Sequence, residues 1–115
     1  MITAYLSFPY TADPQKFTEE VRKLATKLQD KYPDIVLLIP HYCSNWMKQG
    51  QTTEEHTLAI WYDIALVQKA DIFIIGCELD YSKSQGMVWE YNIARMLGKK
   101  IYSASELLRK NVKFD

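Results

Sequence analysis

The sequence is poor in the residues through which many protein chemistries can be recognised. Its 115 residues hold two cysteines, two histidines and four glycines. The glycines form neither a GxGxxG turn nor a P-loop, so the common phosphate-cradling signatures are missing. Cys43 and Cys77 lack CxxC spacing, which argues against a zinc ribbon or redox motif and reads as two thiols in a reducing cytoplasm. His41 and His56 lack HxxxH spacing, and no metal site is expected. Fourteen basic and fourteen acidic side chains cancel. No electrostatic case arises for a nucleic-acid polymer or an anionic membrane. No apolar run approaches the roughly 20 residues that span a bilayer. The first residues carry no basic n-region, so no signal peptide is expected. Without repeats, low-complexity segments or linkers, residues 1–115 read as one domain with one core.

What is present is an alternation of short apolar runs and longer amphipathic ones. "ITAYLSF" is rich in strand formers and is closed by Pro9. A helix follows, with Asp13 as N-cap, Pro14 at the first helical position and an inner stripe of Phe17, Val21, Leu24 and Leu28. "DIVLLIP" is continuously apolar, as in a strand buried on both faces. Thr52 and Glu55 form a capping-box pattern that opens a helix through about Lys69. "DIFIIG" is a third strand. Ser84 caps the next helix, and Gly98 with two lysines ends it. "KIYS" is a fourth strand, "SELLRK" a short helix, and "NVKFD" a tail or a fifth, edge strand. Strands and helices in this order predict an α/β fold: a parallel sheet of four to five strands in a three-layer arrangement, with helices on both faces.

In such sheets ligands bind beyond the carboxyl ends of the strands. Those ends are residues 7–11, 41–50, 77–85 and 103–105, and the chemically interesting side chains gather there or just after. Glu90 shares a helical face with Met87, Ala94 and Leu97, and no basic residue lies one turn away. Asp63 shares a face with Ala59, Ile60, Leu66, Val67 and Ala70. Each is an acid on an apolar stripe, where carboxylates are rare unless paired or functional. Taken alone, Ser84 reads as a cap, Tyr5 as a core tyrosine and Asp71 as a turn or strand-start residue. Gly86, next to a helix start, would let a ligand approach the backbone. Tyr10, Trp46, Trp61 and Trp89 could form a stacking surface for a planar base, or simply pack.

Three segments, "AYLSFPYT", "YDIALVQKADIFII" and "SQGMVWEYNIARMLGKKI", together resemble the nucleoside 2-deoxyribosyltransferase superfamily, which includes the 2'-deoxynucleoside 5'-phosphate N-hydrolases. The last segment is the most specific: a serine, a glycine two residues on and a glutamate six residues on. The resemblance implies a flavodoxin-like or Rossmann-like sheet and chemistry at the N-glycosidic bond of a nucleoside or nucleotide. It implies Glu90 as nucleophile, Asp63, eight residues before Asp71, as the group that handles the leaving base, and Tyr5 beside the glutamate. Substrate contacts are expected from Ser84, Gly86, Ser7, Tyr10, Trp46 and Met87. It also implies a homodimer or larger homo-oligomer, no cofactor and either hydrolase or transferase activity. The loop after the first strand lacks the arginine of the nucleotide hydrolases, so a 5'-phosphate is expected to add little. The competing expectation is a non-catalytic nucleotide-binding or sensing module on the same fold.

Overall fold

The computed structural model describes residues 1–8, 14–40, 53–77 and 85–114; the side chains at 14–18, 53, 55, 56, 59 and 85 are not described. Within that range the strands are β1 (Ile2–Ser7), β2 (Ile35–Leu38), β3 (Ile72–Ile75) and β4 (Lys100–Ser103). The helices are α1 (Pro14–Lys31), α2 (Thr53–Lys69), α3 (Gln85–Met96) and α4 (Ala104–Arg109). The strands form one sheet in the order β2-β1-β3-β4, and every pair is parallel. This is the flavodoxin-like order, and strand order reverses between β1 and β3. The expected three-layer α/β architecture is the one observed.

Alternation along β1 sorts its side chains between two cores. Ala4 and Leu6 join Val21 and Leu28 of α1, Ile72 and Ile74 of β3, and Leu107 of α4. Tyr5 points the other way and packs with Val67 and Ala70, Phe73 of β3 and Ala94 of α3. The sheet thus separates an α1/α4 layer from an α2/α3 layer. The predicted α1 stripe is realised: Val21 and Leu28 are buried and Leu24 packs against them. Asp13, Thr52 and the side chains of Phe17 and Glu55 lie outside the described residues.

Two expectations are corrected, and one left open between tail and edge strand is decided. The apolar run at β2 is not buried on both faces: β2 is an edge strand, and Val36 is 39% exposed. Residues 111–114 form no strand; Phe114 instead packs edge-on against the rings of Tyr32 and Tyr102, with centroids 5.1 and 5.3 Å away. The last helix starts at Ala104, capped by Ser103, whose Oγ accepts the Glu106 N–H at 3.1 Å. Lys31 closes the other end of that helix, with Nζ 2.7 and 2.9 Å from the Leu107 and Leu108 carbonyls. A cation at carbonyls left open by a helix end is favourable. At the end of α3, Gly98 adopts φ +70°, a conformation that favours glycine. No helix among the described residues is long and apolar enough to cross a membrane.

Two junctions fix β1 against β3. At the amino end, Asp71 Oδ2 accepts the Thr3 N–H at 2.8 Å and the Thr3 hydroxyl at 3.1 Å. Asp71, expected as a turn or strand-start residue, thus ties the start of β3 to β1. At the carboxyl end, the Gly76 N–H donates to the Ser7 carbonyl at 2.7 Å. A Cβ at Gly76 would lie 2.6 Å from that carbonyl oxygen and 2.9 Å from the Phe8 ring. Backbone cannot yield as a flexible side chain can. Gly76→Ala is therefore expected to destabilise the fold by about 1–3 kcal/mol. Urea unfolding checks this; a midpoint equal to wild type at an unchanged m value would refute the close-approach role.

Candidate active site

The site forms beside the carboxyl ends of β1 and β3, the pair between which strand order reverses. Tyr5 and Ser7 are two residues apart on β1 and so face the same side of the sheet, toward α2 and α3. Helix α3 lies on that side because Met87 and Ala94 bury there. Glu90 is three residues after Met87 and four before Ala94, so the same helical face carries it inward. Leu97, read as part of that face, falls beyond the helix end and is exposed.

The apparent lack of a partner for Glu90 is resolved across the fold. The Tyr5 hydroxyl donates to Glu90 Oε2 and the Ser7 hydroxyl donates to Oε1 at 3.1 Å. Both carboxyl oxygens are thus engaged by a strand more than 80 residues earlier in the chain. Glu90 is only 9% exposed and Ser7 is fully buried. The Tyr5 ring is held in place by stacking on Phe73, with centroids 5.5 Å apart and planes within 9°.

One edge of Glu90 opens on a cavity of about 290 Å³ between α2 and α3. Its described lining is Ile60, Asp63 and Ile64 from α2, and Gly86, Trp89, Glu90 and Ile93 from α3. The volume is at the small end of small-molecule sites, and an apolar wall with a few convergent polar groups is their usual composition. Burial raises Asp63 from its ordinary 3.8 to about 7, and no hydrogen bond from the described residues offsets that rise. Glu90 rises from 4.5 to about 7, chiefly through burial. The Tyr5 bond opposes this, the charge of Asp63 adds to it, and the Ser7 bond opposes it again. Two carboxyls with perturbed protonation beside one apolar cavity can divide nucleophilic and acid roles at neutral pH. Among the described residues no cluster of histidine, cysteine or acidic side chains could hold a metal ion.

Of the candidate residues, Tyr5, Ser7 and Glu90 are in direct contact, and Asp63, Gly86 and Glu90 line one cavity. Met87 is buried and is not part of that lining. Ser84, Tyr10 and Trp46 lie outside the described residues. The sequence reading did not single out Ile64 or Ile93 as lining residues. The signal was available: Ile93 stands three residues after Glu90, and Ile64 directly follows Asp63. Nor did it pair Ser7 with Glu90, because no spacing rule links residues on different elements.

No protein-family model and no curated protein sequence matches the chain. Among solved structures, it is similar to the 2-deoxyribosyltransferase of the psychrotolerant bacterium Bacillus psychrosaccharolyticus, described as a biocatalyst for the synthesis of antiviral and antitumoral nucleosides. The TM-score is 0.64 at 21% sequence identity, over 98% of this chain and 77% of that one. At this identity the likeness establishes a shared fold.

The raised acids make stability depend on pH. Between about 4 and about 7 the folded state binds more protons at Glu90 and Asp63 than the unfolded chain does. Unfolding free energy therefore falls as pH rises through that window. The penalty is absent below it and complete above it. The double variant Glu90→Gln/Asp63→Asn lacks both titrations. Its melting temperature is expected to gain on that of wild type as pH rises from 4 to 7; a constant difference across the window would rule out this linkage.

Proposed function

We propose that the protein, acting as one domain over residues 1–115, cleaves or transfers the N-glycosidic bond of a nucleoside or nucleotide, with Glu90 as nucleophile and Asp63 as acid. The observation that carries this reading is the Glu90 carboxyl, held at both oxygens by hydroxyls of β1 and set in the wall of an apolar cavity beside a second acid. The likeness in fold to a 2-deoxyribosyltransferase favours a 2-deoxyribosyl group as the transferred sugar. The resemblance of three sequence segments to that superfamily supports Glu90, Asp63 and Tyr5 as the catalytic residues.

In this mechanism a Glu90 oxygen bonds to the anomeric carbon while the carbon–nitrogen bond breaks, its electron pair passing to the base. Asp63 gives the departing base its proton. A water molecule, or a second base in transfer, then attacks the anomeric carbon. The ester bond breaks with its electron pair returning to Glu90, and Asp63 recovers a proton from the incoming group. The charge that develops at the sugar is that of an oxocarbenium ion, which an adjacent carboxylate stabilises or captures, as in retaining glycosidases. The apolar walls from Ile60, Ile64, Ile93 and Trp89 exclude water and strengthen each charge interaction in the site. Trp89 offers a ring to the base. Ser84, Tyr10 and Trp46 are proposed to complete the substrate contacts, and the reaction is proposed to take place in the cytoplasm.

Incubation with a panel of nucleosides, 2'-deoxynucleosides, their monophosphates and NAD, with chromatography for free base, tests the reading. Base release is expected from at least one member. Glu90→Gln should lower it by several orders of magnitude while leaving the fold intact, because covalent capture is lost. Asp63→Asn should be less damaging for substrates whose base departs readily, since its work is protonation. A 2-fluorinated 2-deoxyribosyl substrate should leave a sugar adduct that mass spectrometry maps to Glu90. Binding without release from any member would establish a sensing module in place of an enzyme.

We also propose a homo-oligomer. Trp61 is 64% exposed and Trp89 51%, with Leu58 exposed on α2. Aromatic and aliphatic groups in such number on one pair of helices are typical of surfaces buried between subunits. Light scattering should give at least twice the chain mass of 13.5 kDa; a monomer at high protein concentration would overturn this.

A further inference from the structure

Helix α3 gives Gly86, Trp89, Glu90 and Ile93 to the cavity wall. Gly86, Glu90 and Ile93 fall at i, i+4 and i+7, one line along a helical face. The rise of an α-helix sets Gly86 about 6 Å from Glu90 along the axis and Ile93 about 4.5 Å from it on the other side. The two ends of this line differ. A helix that joins parallel strands runs back along the strand it follows, so α3 starts at the carboxyl ends of the strands, with Gly86 at its second position. Gly86 is exposed there, and Trp89 beside it is half-exposed. Ile93 lies further in and packs against the core of Tyr5, Val67, Phe73 and Ala94. From mouth to floor the wall is a gap, a carboxyl group and a branched plug.

The helix backbone does not call for glycine at position 86. Gly98 has the positive φ; Gly86 has the conformation of an ordinary α-helix, which alanine adopts more readily. A Cβ at Gly86 would come within 4 Å of no atom of the described residues, and it would take space from the cavity one turn from Glu90. In the N-glycosidic reading, on which this inference rests, Glu90 bonds to the anomeric carbon and Asp63, on α2, protonates the base. The sugar then lies against α3 and the base toward α2. Sugar substituents on the two sides of the anomeric carbon meet Gly86 at one end and Ile93 at the other.

We propose that Gly86 and Ile93 are specificity-determining residues that fix how the sugar is seated on Glu90. Its bulkier side extends toward the mouth over Gly86, and Ile93 excludes added bulk at the inner end. The glycine serves the substrate rather than the helix, and the isoleucine serves the site as well as the core.

The test is a methyl scan of the sugar. The probes are the four common 2'-deoxynucleosides and analogues of each with one methyl group added at C2', C3' or C5'. Wild type should accept the methyl at one position and reject it at another, with kcat/KM lowered roughly 10–200-fold at the rejected one, the usual effect of one such group in a pocket. Gly86→Ala should impose a loss of that size at the accepted position, with a melting temperature no lower than wild type. Ile93→Val should relieve the rejection at the other position. A glycine with only a structural role predicts a lower melting temperature and an unaltered scan for Gly86→Ala. An isoleucine that only packs predicts a lower melting temperature and the same rejection for Ile93→Val. Either result, or one methyl position that responds to both variants, overturns the proposal. Calorimetric binding of the same compounds separates seating from reaction. If binding follows this pattern and no compound releases base, the seating stands and the N-glycosidic reading falls. If base is released and neither variant alters the scan, the reading stands and the seating falls. Failure of every compound to bind overturns both.

Discussion

A carboxyl group on the inward face of a helix is costly unless donors meet it, and in this protein the donors come from the first strand. Glu90 is brought to the sheet by Met87 and Ala94, which bury on either side of it along α3. The Tyr5 and Ser7 hydroxyls then engage its two oxygens. Each part constrains the others. Tyr5 must lie on the α2/α3 side of the sheet, which fixes the phase of β1, and a slip of one residue would turn both hydroxyls to the opposite core. The phase is secured by Ala4 and Leu6, which fill that opposite core.

The sheet topology supplies the space. Strand β1 lies between β2 and β3, and the chain leaves it toward one neighbour and reaches the other only after α1, β2 and α2. At this reversal the covering helices part, and a crevice opens beyond the strand ends. Here Gly76 lets β1 and β3 remain in contact up to the last residue of each. Ser7 can therefore belong to the sheet and to the site at once. The cavity beside it is walled mainly by branched aliphatic and aromatic groups from two helices. The same apolar wall that would exclude water from a reacting sugar raises both acids, so an environment suited to the proposed chemistry and reduced stability at neutral pH share one cause.

Much of this was legible in the residues. Period-two and helical patterns located the strands and helices, because burial on a two-layer or one-face pattern leaves its mark on local composition. The acids Glu90 and Asp63 stood out because each falls on an apolar helical stripe, and Glu90 also because no basic residue lies one turn away. Other features were not legible. The apolar run of β2 resembles that of an interior strand, yet β2 is at the edge, since composition does not encode neighbour order. The C-terminal residues were open between tail and strand until the rings of Tyr32 and Tyr102 were seen to receive Phe114.

The sequence by itself determined which side chains would be forced inward. Helical and strand periods are local properties, set by backbone geometry and the removal of apolar surface from water. They put Glu90 and Asp63 on buried faces and Tyr5 and Ser7 on one side of a strand. Only the tertiary structure decided what these groups meet there. Hydrogen bonds act over about 3 Å. Whether a hydroxyl near the start of the chain comes that close to a carboxyl near its end depends on strand order and on how tightly two strands approach. Neither is a local quantity, and together they set Ser7 and Tyr5 on the two oxygens of Glu90 and leave Asp63 in the cavity wall without a matching donor among the described residues.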